Sequence, residues 1–403
     1  MIGVTKLICG SATVSEAIKY SDGATSIPAH LLQFSSANRP IVVWNSTNRC
    51  NLVCRHCYVS AGPSAGLPDE LSTEEAKAMI EDLAGMRVPA LLFSGGEPLL
   101  REDFFDLAKW AGEQRLRPII STNGALITDD VARRIKDAGV AYVGVSLDGL
   151  REVHDRFRGV PGAFDAAVAG IRNSLAAGNR TGVRFTLTAD NSSQLSELID
   201  FAVAEGIQRF CVYHLVYAGR GKTLMDQDTS PAEKRRTIQS LIQKARDLDG
   251  KGVEFEILTV DNHADGICIR NYIAEHQPER LSEVEQLLRM HGGCSAGKKI
   301  ACIDARGEVH PCQFWTHVSL GNVREKPFSL IWNDEGNAFL GQLRDMKAHL
   351  RGKCGECARA DVCGGCRIRA EASGGDVWGE DPACYLTREE IGAQEREAIP
   401  TSE

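Results

Sequence analysis

The chain has 403 residues, fourteen cysteines and a formal charge of −8, with 43% hydrophobic and 25% charged residues. Single cores stop growing at about 250–300 residues, so a chain of this length is expected to divide into more than one domain. The acidic balance argues against a general affinity for nucleic acid or for an anionic membrane surface, since both need a basic face.

Residues 1–12, MIGVTKLICGSA, lack the basic start and long apolar run of a secretory signal, and no stretch approaches the ~20 apolar residues of a membrane span. A cytoplasmic protein is expected. In that reducing setting clustered cysteines read first as metal ligands, whereas the solitary Cys9, Cys211 and Cys268 read as packing residues.

From Ile41 the sequence alternates short β-branched runs with helical patterns. IVVWNS (41–46) predicts a strand, and Ser72 with Glu75 a capping box before the apolar face Ala76, Met79, Ile80 and Leu83. ALLFS (90–94), PIIS (118–121) and AYVGVSL (141–147) predict further strands, separated by helices around Phe104–Ala111 and over residues 131–138. The alternation continues through a helix over 164–177, strand 183–188, helix 195–204, strand 210–214, a long helix entered by Ser230-Pro231, and strand 253–258. Such repetition implies right-handed crossovers and a parallel sheet whose chemistry lies at the carboxyl ends of its strands. The expected fold class is α/β: a partial (β/α)6 barrel of the TIM type, followed by a small cysteine-rich iron–sulfur domain. The boundaries read as an N-terminal extension (1–40), the barrel (41–260), a linker helix region (261–291), the auxiliary iron–sulfur domain (292–386) and a charged tail with a surface helix (387–403).

The loop after the first strand carries Cys50-x3-Cys54-x2-Cys57 and then Tyr58. Three thiolates around a [4Fe–4S] cubane leave one iron open for a small molecule. The competing readings are a zinc site completed by His56 or His214, or a reactive thiol. Gly95, Gly96, Glu97 and Pro98 close the second strand, Ser121 to Gly124 (STNG) the third, and Ser146 to Gly149 (SLDG) the fourth. Each alone is an ordinary turn or cap signal. AGRGKT (218–223) is not a phosphate loop, because the leading glycine position holds Val216.

Together, and in this order, the motifs resemble the radical S-adenosylmethionine (SAM) enzymes. The resemblance implies a cluster on Cys50, Cys54 and Cys57, and SAM contacts from Tyr58, Gly95, Gly96, Glu97, Pro98, Ser121, Asn123, Ser146, Asp148 and Arg184. It further implies SAM on the open iron and substrate hydrogen abstraction by a 5′-deoxyadenosyl radical.

Near the C-terminus Cys294, Cys302 and Cys312 precede Cys354-x2-Cys357-x5-Cys363-x2-Cys366 and Cys384. The five residues between the two pairs are too few for a zinc ribbon, which prefers about 15–20. This set resembles the SPASM extension of radical SAM enzymes. It implies one or two auxiliary [4Fe–4S] clusters, on Cys294, Cys302, Cys312 and Cys366 and on Cys354, Cys357, Cys363 and Cys384. The gap before Cys366 is one residue shorter than that pattern.

Across residues 30–51, 212–221, 258–266, 287–293 and 313–332 the chain resembles the tetrapyrrole-modifying radical SAM enzymes of the alternative heme pathway, the didecarboxysiroheme deacetylases above all. The resemblance implies removal of two acetate side chains from 12,18-didecarboxysiroheme to give Fe-coproporphyrin III, under anaerobic conditions. The neighbouring activities are heme d1 synthesis, decarboxylation of Fe-coproporphyrin III to heme b, and peptide maturation. A carboxylate-rich substrate suggests Arg220 and Arg324, with Lys222, Lys298 and Lys299 beside them, as basic partners. An axial ligand to the substrate iron is sought among His214, His263, His291, His310 and His317, with His263 the first choice. An electron donor such as a ferredoxin or flavodoxin is the expected protein partner, with no nucleic acid and no membrane.

Overall fold

The computed structural model describes residues 1–11, 35–37 and 39–392. Most of the N-terminal extension and residues 393–403 of the expected tail helix therefore lie outside the described residues. A short strand, β1 (Ile2–Gly3), leads into α1 (Val4–Cys9). The alternating units follow: β2 (Ile41–Thr47), α2 (Thr73–Gly85), β3 (Leu91–Gly95), α3 (Phe104–Glu113), β4 (Pro118–Thr122), α4 (Asp129–Asp137) and β5 (Tyr142–Ser146). After these come α5 (Arg151–Arg158), α6 (Ala163–Ala176), β6 (Thr181–Leu187), α7 (Leu195–Ala204), β7 (Arg209–His214), α8 (Pro231–Gly250) and β8 (Glu256–Val260).

Strands β2 to β8 pair in sequence and in parallel. Every residue of β8 and all but the first of β2 are buried. That is the pattern of strands covered on both faces. Helix α2 opens on the expected capping box, with Ser72 and Glu75 exchanging hydrogen bonds of 3.3 and 2.8 Å, and it buries Ala76, Met79, Ile80 and Leu83. Ser230 and Glu233 make the same box at α8.

The sheet is open, with β1 antiparallel to β8 at one edge. At the other edge β9 (Ile300–Ile303) pairs in parallel with β2, then β10 (Glu308–His310) and β11 (Gly321–Asn322) extend it in antiparallel fashion. The cysteine-rich part thus grows onto the barrel sheet. Its short strands carry no periodicity long enough to announce them.

Other differences have local causes. The linker helix region expected over 261–291 holds two helices, α9 (Ala264–His276) and α10 (Leu281–His291), because Pro278 interrupts the ladder. Helix α4 starts early because the Thr128 hydroxyl accepts from the Val131 amide at 3.2 Å and caps it. Residues 387–392 form turns rather than the start of a helix. Cys211 and Cys268 are buried and Cys9 half-buried, as packing residues.

A candidate iron–sulfur and SAM site at the strand ends

A cavity of about 1050 Å³, mouth included, opens at the carboxyl ends of β2 to β8. Its wall holds Cys50, Cys54, Cys57 and Tyr58 after β2, Gly95 and Gly96 after β3, Ser121 and Asn123 at β4, Ser146 at β5, Arg184 on β6 and Arg220 beyond β7. Most of the expected site is therefore in one place. Each sulfur of the triad accepts a hydrogen bond, from Leu52 N at 3.4 Å to Cys50, from the Arg158 guanidinium at 3.5 Å to Cys54, and from Ala61 N at 3.3 Å to Cys57. Donors aimed at sulfur favour thiolate and cluster charge.

The second loop is fastened to this one. Gly96 N donates to Thr47 O at 2.7 Å and Glu97 N to Arg49 O at 2.8 Å. A β-carbon at Gly96 would stand 2.1 Å from the Arg49 carbonyl oxygen, so the approach requires glycine. Tyr58 is held by its hydroxyl, 2.7 Å from Asn45 Oδ1 and 3.0 Å from Ser94 Oγ.

Four expected contacts stand elsewhere. Glu97 is fully buried outside the cavity wall, accepting from Thr122 Oγ1 at 2.8 Å, Asn123 N at 2.9 Å and Leu99 N at 3.2 Å. Its carboxylate thus ties the second loop to the third. Pro98 begins the helical turn Pro98–Leu100 behind it. Asp148 is buried against Arg158 and Thr186 N, so it acts on Cys54 through Arg158. Arg324 is exposed and absent from the cavity wall, paired with Glu75 at 2.6 Å.

Arg220 lines the cavity, but it holds the cysteine loop through Cys54 O and Ala61 O, both at 2.8 Å. Lys299 caps α10 by donating to Met290 O. His263 precedes α9 and is absent from the cavity wall, as are His291, His310 and His317, whereas His214 lines it. Sequence reasoning passed over Arg158, Tyr213, Asp261 and Phe314 in this wall, and helix α5 that carries Arg158. His56, weighed earlier only as a zinc ligand, stacks on Phe157 at 4.4 Å and also lines the cavity.

Burial pushes the Glu97 carboxyl up to about 7, against the hydrogen bonds from Asn123, Thr122 and Leu99 that lower it. Its folded value lies above the unfolded one of 4.5, so its contribution is complete below pH 4.5 and lost as pH rises through about 7. Glu97→Gln is expected to flatten the fall in melting temperature between about pH 5 and 8 that the SAM-free wild type shows. Parallel slopes for the two proteins would count against this titration.

A second cavity is walled by Cys354, Cys357, Cys363 and Cys384. Their sulfurs also meet donors: Asp381 N at 3.4 Å and Arg367 Nη2 at 3.6 Å on Cys354, Arg359 N at 3.4 Å on Cys357, and Gly365 N at 3.5 Å on Cys363. Gly365, at φ +61°, would place a β-carbon 3.0 Å from the Cys354 sulfur. Among the described residues no group of three His, Cys, Asp or Glu is close enough for a single metal ion. Thiols set around a cavity fit a polynuclear cluster.

Cys294, Cys312 and Cys366 gather in one apolar cluster with Val216 and Trp315. Cys302 is not with them. It stands on β9 opposite Val43, fully buried, and its sulfur accepts from Asn45 Nδ2 at 3.4 Å. Its pairing with Val43, which lines the large cavity, puts it on the inner face of the barrel sheet, outside the cluster that holds the other three. Cys302→Ser is accordingly expected to leave the iron content of reconstituted protein unchanged, whereas Cys363→Ser lowers it by one cluster's complement. Iron and sulfide assays giving equal losses would reject the distinction.

Residues 44–202 match the radical SAM superfamily, and residues 294–358 match SPASM, an iron-sulfur cluster-binding domain. Fe-coproporphyrin III synthase of Methanosarcina barkeri is 47% identical over 399 residues, covering 98% of this chain and 100% of that protein. Pre-heme d1 synthase of Dinoroseobacter shibae is 42% identical over 357 residues, 88% of each. Among solved structures, SuiB of Streptococcus suis bound to S-adenosylmethionine shares the fold, with 20% identity and a TM-score of 0.68 over 87% of this chain and 78% of that one. No helix among the described residues is long and apolar enough to cross a membrane. With the three-thiol loop, the glycine loop behind it and the second thiol-lined cavity, the chain belongs to the radical SAM superfamily and carries its SPASM iron–sulfur domain.

Proposed function

We propose that this enzyme removes the two acetate side chains of 12,18-didecarboxysiroheme and yields Fe-coproporphyrin III, within siroheme-dependent heme biosynthesis. The observation that carries the reading is the end-to-end likeness, at 47% identity, to a protein named for that product. The open cavity beside the three-thiol loop, walled from β2 to β8, is where the substrate would meet the cluster and SAM.

Cys50, Cys54 and Cys57 would hold the first cluster, and Gly95, Gly96, Ser121, Asn123, Ser146 and Arg184 stand in the wall where SAM would lie. When bound, the cluster and SAM supply the one-electron chemistry that removes hydrogen from substrate. The chain's own residues bind, orient and exclude water. Arg158 and the backbone donors fix the thiols, while Asn123 Nδ2 reaches Asn51 Oδ1 at 2.8 Å and joins the third loop to the first. Phe314, packed edge-on to Tyr58 at 5.2 Å, closes the cavity from the C-terminal part. We further place the enzyme in the cytoplasm, with a ferredoxin or flavodoxin as electron donor and no nucleic-acid partner.

The test is an anaerobic assay of iron-reconstituted protein with dithionite, SAM and 12,18-didecarboxysiroheme, following 5′-deoxyadenosine and tetrapyrrole mass together. Loss of two acetate units with matching deoxyadenosine is the expected result. Deoxyadenosine with unchanged tetrapyrrole would reject the substrate and turn attention to Fe-coproporphyrin III or a heme d1 precursor.

A further inference from the structure

His214 ends β7 and is 4% exposed, in the wall of the large cavity. Its Nε2 is 2.9 Å from Asp265 Oδ2. Asp265 is fully buried in the first turn of α9, and its other oxygen accepts from the Tyr385 hydroxyl at 2.7 Å. A carboxylate can only accept here, so it fixes the proton on Nε2 and holds the ring plane. The remaining nitrogen, Nδ1, is buried and has no hydrogen-bond partner.

A buried nitrogen without a partner is unfavourable, and a ligand that supplies the partner relieves it. A neutral imidazole with one nitrogen anchored on a carboxylate and the other carrying a free lone pair is the arrangement by which proteins present histidine to a metal. His263 lacks it, being outside the cavity wall with no carboxylate hydrogen-bonded to its ring among the described contacts.

We propose that His214, oriented by Asp265 and Tyr385, is the protein ligand to the iron of the tetrapyrrole through Nδ1; this rests on the substrate reading above. Tyr385 follows Cys384 of the second thiol cavity, so one hydrogen-bonded chain, Tyr385–Asp265–His214, runs from that site to the substrate cavity. Asp265 is a positioning residue, and His214 the residue that touches substrate.

The experiment titrates the reconstituted holoenzyme anaerobically with 12,18-didecarboxysiroheme and, in parallel, with the same tetrapyrrole lacking iron. The wild type is expected to bind both and to shift the Soret band of the iron form. His214→Ala should lose that shift and bind the iron form at least about tenfold more weakly, with the metal-free form unaffected and added imidazole restoring the band. Asp265→Asn, which keeps the ring, should give a band position between the two. Because His214→Ala could disturb folding, His214→Gln and the iron content of each variant provide the control. An unchanged Soret shift in both His214 variants would overturn the proposal, as would equal weakening for iron and metal-free forms. If the wild type binds neither form, the substrate reading itself falls and takes this assignment with it, whereas binding of both without any Soret shift removes only His214.

Discussion

Arg369→Met is expected to destabilise the protein by about 3–5 kcal/mol, the cost of leaving a buried charge without its partner. Arg369 has no exposed surface, and its guanidinium reaches Asp381 Oδ1 at 2.9 Å and Oδ2 at 2.8 Å, Leu215 O at 3.2 Å and Asp261 O at 2.6 Å. One side chain therefore joins the ends of β7 and β8 to the cysteine-rich part, where Asp381 also accepts from Cys366 N at 2.7 Å. Burial alone would raise the Asp381 carboxyl, yet the Arg369 pair holds it down to about 2, below its ordinary 3.8. Its contribution is therefore present above pH 3.8 and lost as pH falls through about 2. In the variant the uncompensated carboxyl takes up a proton more readily, so the deficit is greatest at neutral pH and narrows on acidification. Urea denaturation of reconstituted protein at pH 7 and pH 5, followed by tryptophan fluorescence, reads both. A deficit under about 1 kcal/mol at pH 7 would mean the network behaves like an exposed ion pair. Arg369→Lys should rescue little, because an ammonium cannot repeat the two-pronged contact.

The barrel was legible because its signals are local: β-branched runs, apolar helix faces, the capping box at Ser72 and the Ser230-Pro231 helix start. The loops that carry the site were legible for a related reason, since glycine at 96 and the cysteine spacing answer to backbone approach and cluster valence. What stayed hidden was long-range and polar. Glu97 reads as a ligand contact in sequence, but its partners Thr122 and Asn123 sit on another loop and take its carboxylate out of the cavity. His263 and His214 look alike as letters; only the fold shows that Asp265 reaches the latter. Cys302 lies between Cys294 and Cys312 in sequence, whereas the fold packs those two with Cys366 and leaves Cys302 on β9 against Asn45. Helix α5 was missed because it is almost wholly polar, with only His154, Phe157 and Arg158 buried.

That helix leads to the second large effect. Arg158→Met is expected to lower the midpoint potential of the cluster proposed on Cys50, Cys54 and Cys57 and to slow SAM cleavage at least about a hundredfold. Arg158 is 6% exposed, donates to the Cys54 sulfur at 3.5 Å and pairs with the fully buried Asp148. A unit charge at such a distance is worth roughly 4 kcal/mol in a partly screened interior, and it favours the state carrying one more electron. Asp148 offsets part of this, so removing arginine alone leaves a net negative charge and overshoots simple neutralisation. The double variant Arg158→Met with Asp148→Asn should therefore recover part of the potential without restoring the Cys54 hydrogen bond. Helix α5 also fixes the loop by backbone, since Val53 N donates to Arg158 O at 3.2 Å and Arg55 N to Phe157 O at 3.0 Å. Those bonds survive the substitution, so the cluster itself should still assemble. Spectroelectrochemical titration with parallel iron and deoxyadenosine assays separates the cases. Retained iron with a lowered potential supports electrostatic tuning by Arg158, and loss of iron would instead make it a structural clamp on the cysteine loop.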